Sequence, residues 1–240
     1  MIFDILINCL FFRKLAVNEP DQQALRHQLI QQRKSMVRWG DGEISLIHRV
    51  SIGYQEYSPE LATELERILT SDNNRLLIAS PNRFVTAPLF QLLKNNKLRI
   101  WMRSRAFFIR YRHRLANSAD AFGFRSESCF SYLPVLRELC GNYHRVVVVS
   151  SNQQSEALLR ETLGYQGEFA HVAAQSKNTF TNVPVILKNI ERYESGSSLI
   201  ICACGPASKI LVDQLSALNF QCIDVGHLFD HFANNLIRNR

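Results

Sequence analysis

The residues with the clearest chemical potential are two acids near the start of the chain, Asp41 and Glu43, with Gly40 and Gly42 before and between them. In an extended backbone, residues two apart point to the same side, so the two carboxylates could jointly face a hard divalent cation such as Mg²⁺ or Mn²⁺. Gly42 would let a phosphate approach the backbone closely. The alternative is a helix start, with Asp41 as the cap and Glu43 near the positive end of the helix.

Two neighbours of this acidic pair each have a functional and a structural interpretation. Arg38 could contact a phosphate, or it could pair with one of the acids. Trp39 could stack on a base or a sugar, or it could pack beside the glycine turn. The segment lies between apolar residues 36–37 and an apolar-periodic stretch that begins at Ile44. This pattern predicts a strand-to-helix corner, a place where α/β proteins bind ligands.

Two further polar segments follow predicted strands. Lys177 and Asn178, preceded by Ser176, offer a cation, an amide and a hydroxyl that suit phosphate or sugar hydroxyls, and a solvated turn is the alternative. Gly205 and Pro206 open a predicted helix, where backbone amides attract anions. Tight packing at the turn explains Gly205 equally well.

The end of the last predicted strand carries Asp224 and His227. His227 and His231 are four residues apart, so on a helix they could share a face and bind a metal ion. The glutamate that follows the first histidine of a zinc protease is absent, and Leu228 stands there. A single histidine at a ligand pocket is therefore the favoured interpretation of His227.

Alternating strands and helices must position these residues. Predicted strands cover 36–38, 76–79, 98–101, 145–150, 168–172, 198–202 and 220–223. Predicted helices cover 21–34, 59–69, 85–93, 153–163, 182–192 and 207–218. Such alternation predicts an α/β fold with a mainly parallel sheet and helices on both faces, whose ligands lie beyond the carboxyl ends of the strands.

Composition narrows the class of protein further. The chain has 240 residues, of which 46% are hydrophobic, enough for a full core in a single domain over residues 20–240. A formal charge of +7 and a pI near 9.3 favour an anionic partner. The six cysteines lack the paired spacing of a zinc ribbon and are typical of buried thiols in a reducing compartment.

The first 19 residues form a separate apolar and basic lead segment. Its apolar run contains Asp4 and Asn8, is followed by Arg13 and Lys14, and is too short to span a bilayer. An ordinary packed helix is favoured over an interfacial membrane helix. The expected location is the cytoplasm, with peripheral contact at the inner face of the membrane as the alternative.

In the order of these motifs, the chain resembles the GT-D type glycosyltransferases, bacterial enzymes first catalogued as a domain of unknown function. The family hallmark, Arg-aromatic-Gly-Asp-Gly-Glu, stands here at residues 38–43. Similar pieces follow in order over about residues 20–235. The sequence departs from the family pattern at 123–126, directly after Asp120-Ala121-Phe122, and at Thr179. These pieces are Asp120-Ala121-Phe122, residues 176–180, Gly205-Pro206 and Asp224-Val225-Gly226-His227.

The resemblance implies a Rossmann-like fold and a UDP-sugar donor. It implies that Asp41 and Glu43 hold Mn²⁺ or Mg²⁺ beside the donor diphosphate, and that Lys177 and Asn178 contact the donor. Arg38, Gly40, Gly42, Gly205 and Pro206 are the further predicted donor-binding residues. Asp224, Asp120 and His227 are candidates for the base that accepts the proton of the acceptor hydroxyl.

The predicted function is metal-dependent transfer of a hexose, such as glucose, from a UDP-sugar to a glycan or glycoprotein acceptor. A basic and aromatic segment over residues 103–114 keeps a second interpretation open, a noncatalytic binder of polyanions or nucleic acid. Such a binder does not need the acidic pair, so no nucleic-acid partner is expected. A metal-dependent phosphoesterase would use the same acids with water as the acceptor.

Overall fold

The computed structural model describes residues 22–79, 98–111 and 129–238, and the lead segment, the predicted helix at 85–93 and Asp120 lie outside them. The strands of the described residues are β1 Ser35–Arg38, β2 Leu76–Ala79, β3 Arg145–Ser150, β4 Glu168–Ala173, β5 Ser198–Ala203 and β6 Gln221–Asp224. The helices are α1 Gln22–Arg26, α2 Asp41–Ile47, α3 Pro59–Thr70, α4 Leu98–Arg110, α5 Cys129–Gly141, α6 Ser155–Leu163, α7 Val183–Ile190, α8 Ala207–Ala217 and α9 Leu228–Arg238. A π-helical turn, His27–Gln31, extends α1, and a 3₁₀ turn, Thr179–Asn182, precedes α7.

The six strands form one parallel sheet in the order β2-β1-β6-β5-β3-β4. This order places the first and last of these strands side by side in the interior of the sheet, with Met36 opposite Ile223. Because all strands run the same way, their carboxyl ends meet at one edge of the sheet. The α/β class with a parallel sheet, predicted from the alternation of elements, is confirmed.

Helices cover both faces of the sheet, and the strand sequences show why. In β3, Val147 and Val149 belong to one buried cluster, while Val146 and Val148 belong to the other. Helices α2, α3, α7 and α8 pack in the first cluster, and α5, α6 and α9 pack in the second. Strands buried on both faces are continuously apolar, which is why they were predictable from short β-branched runs.

Helix α3 follows its sequence signals closely. Ser58 caps it, with its Oγ accepting a hydrogen bond from Leu61 N at 3.1 Å, and Pro59 occupies the first turn. The leucine and isoleucine stripe at 61, 65, 68 and 69 is buried against the sheet. Helix α8 is different, because most of its residues are buried on all sides.

One predicted strand is wrong. Residues 98–101 begin the 13-residue helix α4 instead of a strand. Four residues, of which three are apolar and one is basic, fit either periodicity, and the helical period emerges only over the full segment. The same helix buries Arg105 and Phe107, so two members of the expected basic and aromatic surface face inward. Arg112, His113 and Arg114 lie outside the described residues.

The cysteine side chains that the structure describes are buried thiols. Cysteines 140, 202, 204 and 222 are free and buried, as predicted. Burial raises the pKa of the Cys140 and Cys204 thiols to about 12, so these groups stay protonated near neutral pH.

Within the described ranges, every helix is too short or too polar to cross a bilayer.

Candidate active site at the carboxyl ends of the strands

The predicted site residues that the structure describes lie at or just beyond the carboxyl ends of four strands. Residues 38–43 follow β1, Lys177 and Asn178 follow β4, Gly205 and Pro206 follow β5, and residues 224–227 end β6. The central position of β1, β6 and β5 brings three of these segments together. They form two connected regions, a buried charged cluster under the acidic corner and an open cleft beside it.

The acidic corner is the first turn of a helix. Gly40, in an extended conformation, precedes α2, and the carboxylate of Glu43 accepts a hydrogen bond from Gly40 N at 2.9 Å. An α-helix turns by about 100° per residue, so Asp41 and Glu43 point in widely different directions. The expectation that they share one side of an extended strand is therefore wrong. Glu43 does lie near the positive end of the helix, and Asp41 stands one position inside the cap.

Lys209, on α8, is the residue that sequence reasoning missed here. Its Nζ lies 2.8 Å from Glu43 Oε1 and 2.9 Å from Asp224 Oδ2, and its side chain is 5% exposed. Burial disfavours the ammonium, but the charges of Asp224 and Glu43 outweigh burial and raise the pKa of Lys209 above its ordinary value. A lysine inside a helix gives no local signal for this role, because its partners come from α2 and β6, far away in the sequence.

Asp224 is a hub of the buried cluster and is fully buried. Its Oδ2 accepts a hydrogen bond from Arg38 N at 3.1 Å and contacts Lys209, while its Oδ1 accepts from Gly226 N at 3.0 Å. A general base must reach the acceptor hydroxyl. These contacts suit Asp224 to a positioning role, and its service as the base stays a prediction.

Arg38 and Trp39 are also built into the fold. Arg38 is buried and its Nη1 donates to Val225 O at 2.6 Å. A Cβ on Gly226, whose φ is +54°, would lie 2.3 Å from that Nη1, so the turn after β6 requires glycine. Trp39 is buried and stacks on Phe107 with ring centroids 6.3 Å apart. The packing interpretation of Trp39 is therefore the one that the structure supports.

A divalent ion does not fit the acidic pair in this arrangement. Both oxygens of Glu43 have protein partners, Gly40 N and Lys209 Nζ. Among the described residues, no three acids, histidines or cysteines are grouped as metal ligands. Binding of Mg²⁺ or Mn²⁺ by Asp41 and Glu43 stays a prediction from the sequence.

An open cleft of about 220 Å³ lies beyond the ends of β3, β4, β5 and β6. The predicted donor residues Gly205 and Pro206 line it, and so does His227. The other lining residues are Tyr54, Gln55, Ser150, Ser151, Asn152, Gln175, Ser176, Thr179, Ala203, Cys204, Gly226, Phe229 and Asp230. The described lining thus combines hydroxyl and amide groups with one imidazole and one carboxylate, a composition suited to sugars and nucleotides.

His227 is the imidazole of the cleft, and its side chain is 51% exposed. Its Nδ1 lies 3.1 Å from Asp230 Oδ2, one turn away at the start of α9. When Nδ1 carries the proton toward this carboxylate, Nε2 presents a lone pair. A histidine oriented by a carboxylate is a common general-base arrangement, so the structure supports His227 as a base candidate.

Tyr54 is a second residue that sequence reasoning missed. It lies over both predicted phosphate-binding glycines: a Cβ on Gly205 would come within 2.9 Å of its ring, and one on Gly42 within 3.4 Å of its hydroxyl. Its ring also meets His227 edge to face, with centroids 6.0 Å apart. The small size of both glycines therefore makes room for this tyrosine.

The segment after β4 fastens Tyr54 in place. Asn178, with φ +54°, donates from its backbone N to Tyr54 O at 2.9 Å, and its Oδ1 accepts from Glu56 N at 2.8 Å. Asparagine tolerates this left-handed conformation better than most residues. Asn178 thus positions the cleft wall, whereas its neighbour Lys177 is exposed beside the rim residues Ser176 and Thr179.

Fold and site together define an α/β protein with a polar ligand cleft at the carboxyl edge of a parallel sheet. The glycosyltransferase GT-D fold family matches residues 36–237, and the chain belongs to this family. The resemblance in the motifs and the Rossmann-like fold that it implied are thereby confirmed.

Relatives by sequence are streptococcal glycosyltransferases. Glycosyltransferase GlyD of Streptococcus pneumoniae serotype 4 is 24% identical over 211 residues, which cover 83% of this chain and 25% of that protein. The probable glycosyl transferase Gly of Streptococcus gordonii is 24% identical over 240 residues, covering 90% of this chain and 34% of that protein. The chain thus spans about a quarter to a third of the length of these relatives.

Solved structures with the same fold support the assignment. A domain of unknown function 1792, described as having a distinct glycosyltransferase fold, superposes with a TM-score of 0.72 at 22% identity, covering 98% of this chain and 86% of that one. A glycosyltransferase of the same domain type from Streptococcus sanguinis gives a TM-score of 0.71 at 18% identity, covering 93% and 86%. At this level of identity the likeness concerns the fold.

Proposed function

We propose that this chain transfers a hexose, such as glucose, from a UDP-sugar donor to a hydroxyl of a glycan or glycoprotein acceptor. The observation that carries the proposal is the pairing of His227 with Asp230 in a polar cleft, opposite the start of α8. The glycosyltransferase family of the chain supplies the reaction class. The cleft supplies a base and polar walls for the two substrates.

The donor diphosphate would bind at the turn between β5 and α8. Gly205, with φ +64°, and Pro206 immediately precede the 11-residue helix α8 at the edge of the cleft, and backbone amides at a helix start attract anions. Lys177, exposed beside the rim, would add a mobile positive charge. Together they would stabilise the charge that develops on the leaving diphosphate.

His227 would act on the acceptor. In an inverting transfer, the acceptor oxygen forms a bond to the anomeric carbon while the bond from that carbon to the diphosphate oxygen breaks. The hydroxyl proton passes to Nε2 of His227, and Asp230 stabilises the resulting imidazolium. The electron pair of the broken bond leaves with the diphosphate of UDP.

The other two interpretations of the sequence have less support. The segment proposed as a polyanion-binding surface buries Arg105 and Phe107, which removes part of that surface. A phosphoesterase would need the acidic pair to activate water, and Glu43 is instead bonded to Gly40 and Lys209. Water as an acceptor remains an outcome of the test below.

Calorimetric titration with UDP tests the donor site. We expect UDP to bind more tightly than ADP or inorganic phosphate, and Lys177→Ala to weaken UDP binding by about tenfold, since a charged hydrogen bond contributes about 1.5 kcal/mol or more. Lys188→Ala, at an exposed lysine of α7, is the matched control. If UDP does not bind, or both variants behave alike, the donor site is wrong.

Incubation with UDP-glucose and candidate acceptors then tests the reaction. Transfer to a glycan acceptor is the expected result. Release of free glucose at the same rate with and without acceptors would indicate hydrolysis and overturn the transferase proposal for this chain.

A further inference from the structure

We propose that the ammonium of Lys209, rather than a divalent metal ion, is the cation held by Glu43 and Asp224. Glu43 is then a positioning residue of the acidic corner and not a metal ligand. The proposal concerns the site of the transfer reaction, and it rests on the proposed function only where UDP serves as a probe.

The contacts of the two acids carry the proposal. Lys209 Nζ lies 2.8 Å from Glu43 Oε1 and 2.9 Å from Asp224 Oδ2, the usual lengths of charge-assisted hydrogen bonds. The remaining oxygen of each acid accepts from a backbone amide, Gly40 N and Gly226 N respectively. A metal ion at Glu43 would have to share a carboxylate oxygen with one of these partners, close to the positive charge of the ammonium.

Charge balance points the same way. The buried cluster contains two cations, Arg38 and Lys209, and two anions, Glu43 and Asp224. Inserting a divalent ion would leave two excess positive charges in a buried site, which is costly without further anionic ligands. The ammonium of Lys209 therefore balances the charge of the cluster and also lies within hydrogen-bond distance of both acids.

The position of Lys209 gives it a role in the shape of the site. Through Glu43 it fixes the turn after β1, and through Asp224 it fixes the turn after β6. It also approaches Gly205 O, at 3.4 Å, in the turn that precedes its own helix. One ammonium thus joins the exits of β1, β5 and β6, and the exits of β5 and β6 line the cleft.

Binding of Mn²⁺, followed by electron paramagnetic resonance on the full chain without nucleotide and again with UDP, tests the assignment. We expect Glu43→Gln to change the Mn²⁺ dissociation constant by less than about twofold, which is under 0.5 kcal/mol. Glu60→Gln, an exposed acid in the first turn of α3, is the matched control. A loss of about tenfold or more in Glu43→Gln alone would overturn the proposal.

Lys209→Met provides the opposite test. Removing the ammonium leaves the cluster with one negative charge in excess, because Arg38 is then the one cation beside Glu43 and Asp224, so Mn²⁺ without nucleotide should bind at least about tenfold more tightly than in the wild type. Lys188→Met, on the surface of α7, should leave Mn²⁺ binding unchanged. If Lys209→Met folds and binds Mn²⁺ no more tightly than the wild type, Glu43 and Asp224 do not form a cation site that the ammonium occupies, and the proposal is wrong.

If Lys209→Met does not fold, the Mn²⁺ affinity of Glu43→Gln still tests the proposal. The double variant Lys209→Met with Glu43→Gln restores the charge balance of the cluster and should recover folding. Absence of UDP binding by the wild type would refute the proposed function, while the measurements without nucleotide would still test Lys209.

Discussion

At the scale of single residues, two candidates for the base, His227 and Asp224, lie in different surroundings. His227 is exposed in the cleft and paired with a carboxylate, whereas Asp224 is fully buried with protein partners on both oxygens. Both were base candidates by chemistry alone. Solvent access and hydrogen-bond occupancy separate them, and neither property is readable from the residue type.

The role of His227 predicts a specific kinetic change. His227→Gln keeps a polar side chain of similar size but removes the base, so turnover should fall about 10²- to 10⁴-fold while UDP affinity is retained. His144→Gln is the matched control, because His144 pairs with Glu168 at the opposite edge of the sheet. Turnover within about threefold of wild type in His227→Gln would place the base elsewhere.

Gly226 gives a second prediction at this scale. Gly226→Ala must adopt a φ of +54° and place a Cβ 2.3 Å from Arg38 Nη1, so we expect a loss of about 2–4 kcal/mol in the free energy of unfolding. Gly141→Ala, at the end of α5, meets nothing within 4 Å and should be neutral or slightly stabilising. Urea denaturation of both variants measures the difference, and equal stabilities would contradict the assignment.

At the scale of elements, most strands were predictable, and the failures have physical causes. β3 and β5 are continuous apolar runs, which only a doubly covered sheet accommodates. Residues 98–101 carried too short a pattern to distinguish a strand from the start of α4. Lys209 and Tyr54 escaped notice because tertiary contacts, between residues far apart in the sequence, determine their roles.

The connection between the segment after β4 and Tyr54 is testable as a unit. Asn178→Ala removes the Oδ1 acceptor of Glu56 N, so amide hydrogen exchange over residues 54–57 should quicken and UDP should bind more weakly. Asn178→Asp keeps an acceptor oxygen and should preserve slow exchange. Equal protection in the two variants would show that this side chain does not hold the cleft wall.

At the scale of the whole molecule, buried acidic groups predict sensitivity to alkali. Burial raises the pKa of Tyr165 from 10.0 to about 12, and the pKa of the Cys140 thiol from 9.0 to about 12. The unfolded chain releases these protons at lower pH than the folded chain does. Stability from these groups is therefore complete below about pH 9 and is lost as pH rises toward about 12.

Chemical denaturation at a series of pH values measures this loss. Tyr165→Phe removes one titrating group, so the decline of the free energy of unfolding between about pH 10 and 12 should be shallower than in the wild type. An unchanged slope in Tyr165→Phe would contradict the role of burial there.

The central pairing of β1 with β6 has a consequence for how the protein folds. The contact between Arg38 N and Asp224 Oδ2 joins residues 186 positions apart, so closing it costs about 1 kcal/mol more chain entropy than the pairing of β1 with β2, which are closer in the sequence. The charged cluster therefore cannot assemble until nearly the whole described chain has been synthesised. Until β6 has been synthesised, the edge of β1 that pairs with β6 is open, and the candidate active site is incomplete.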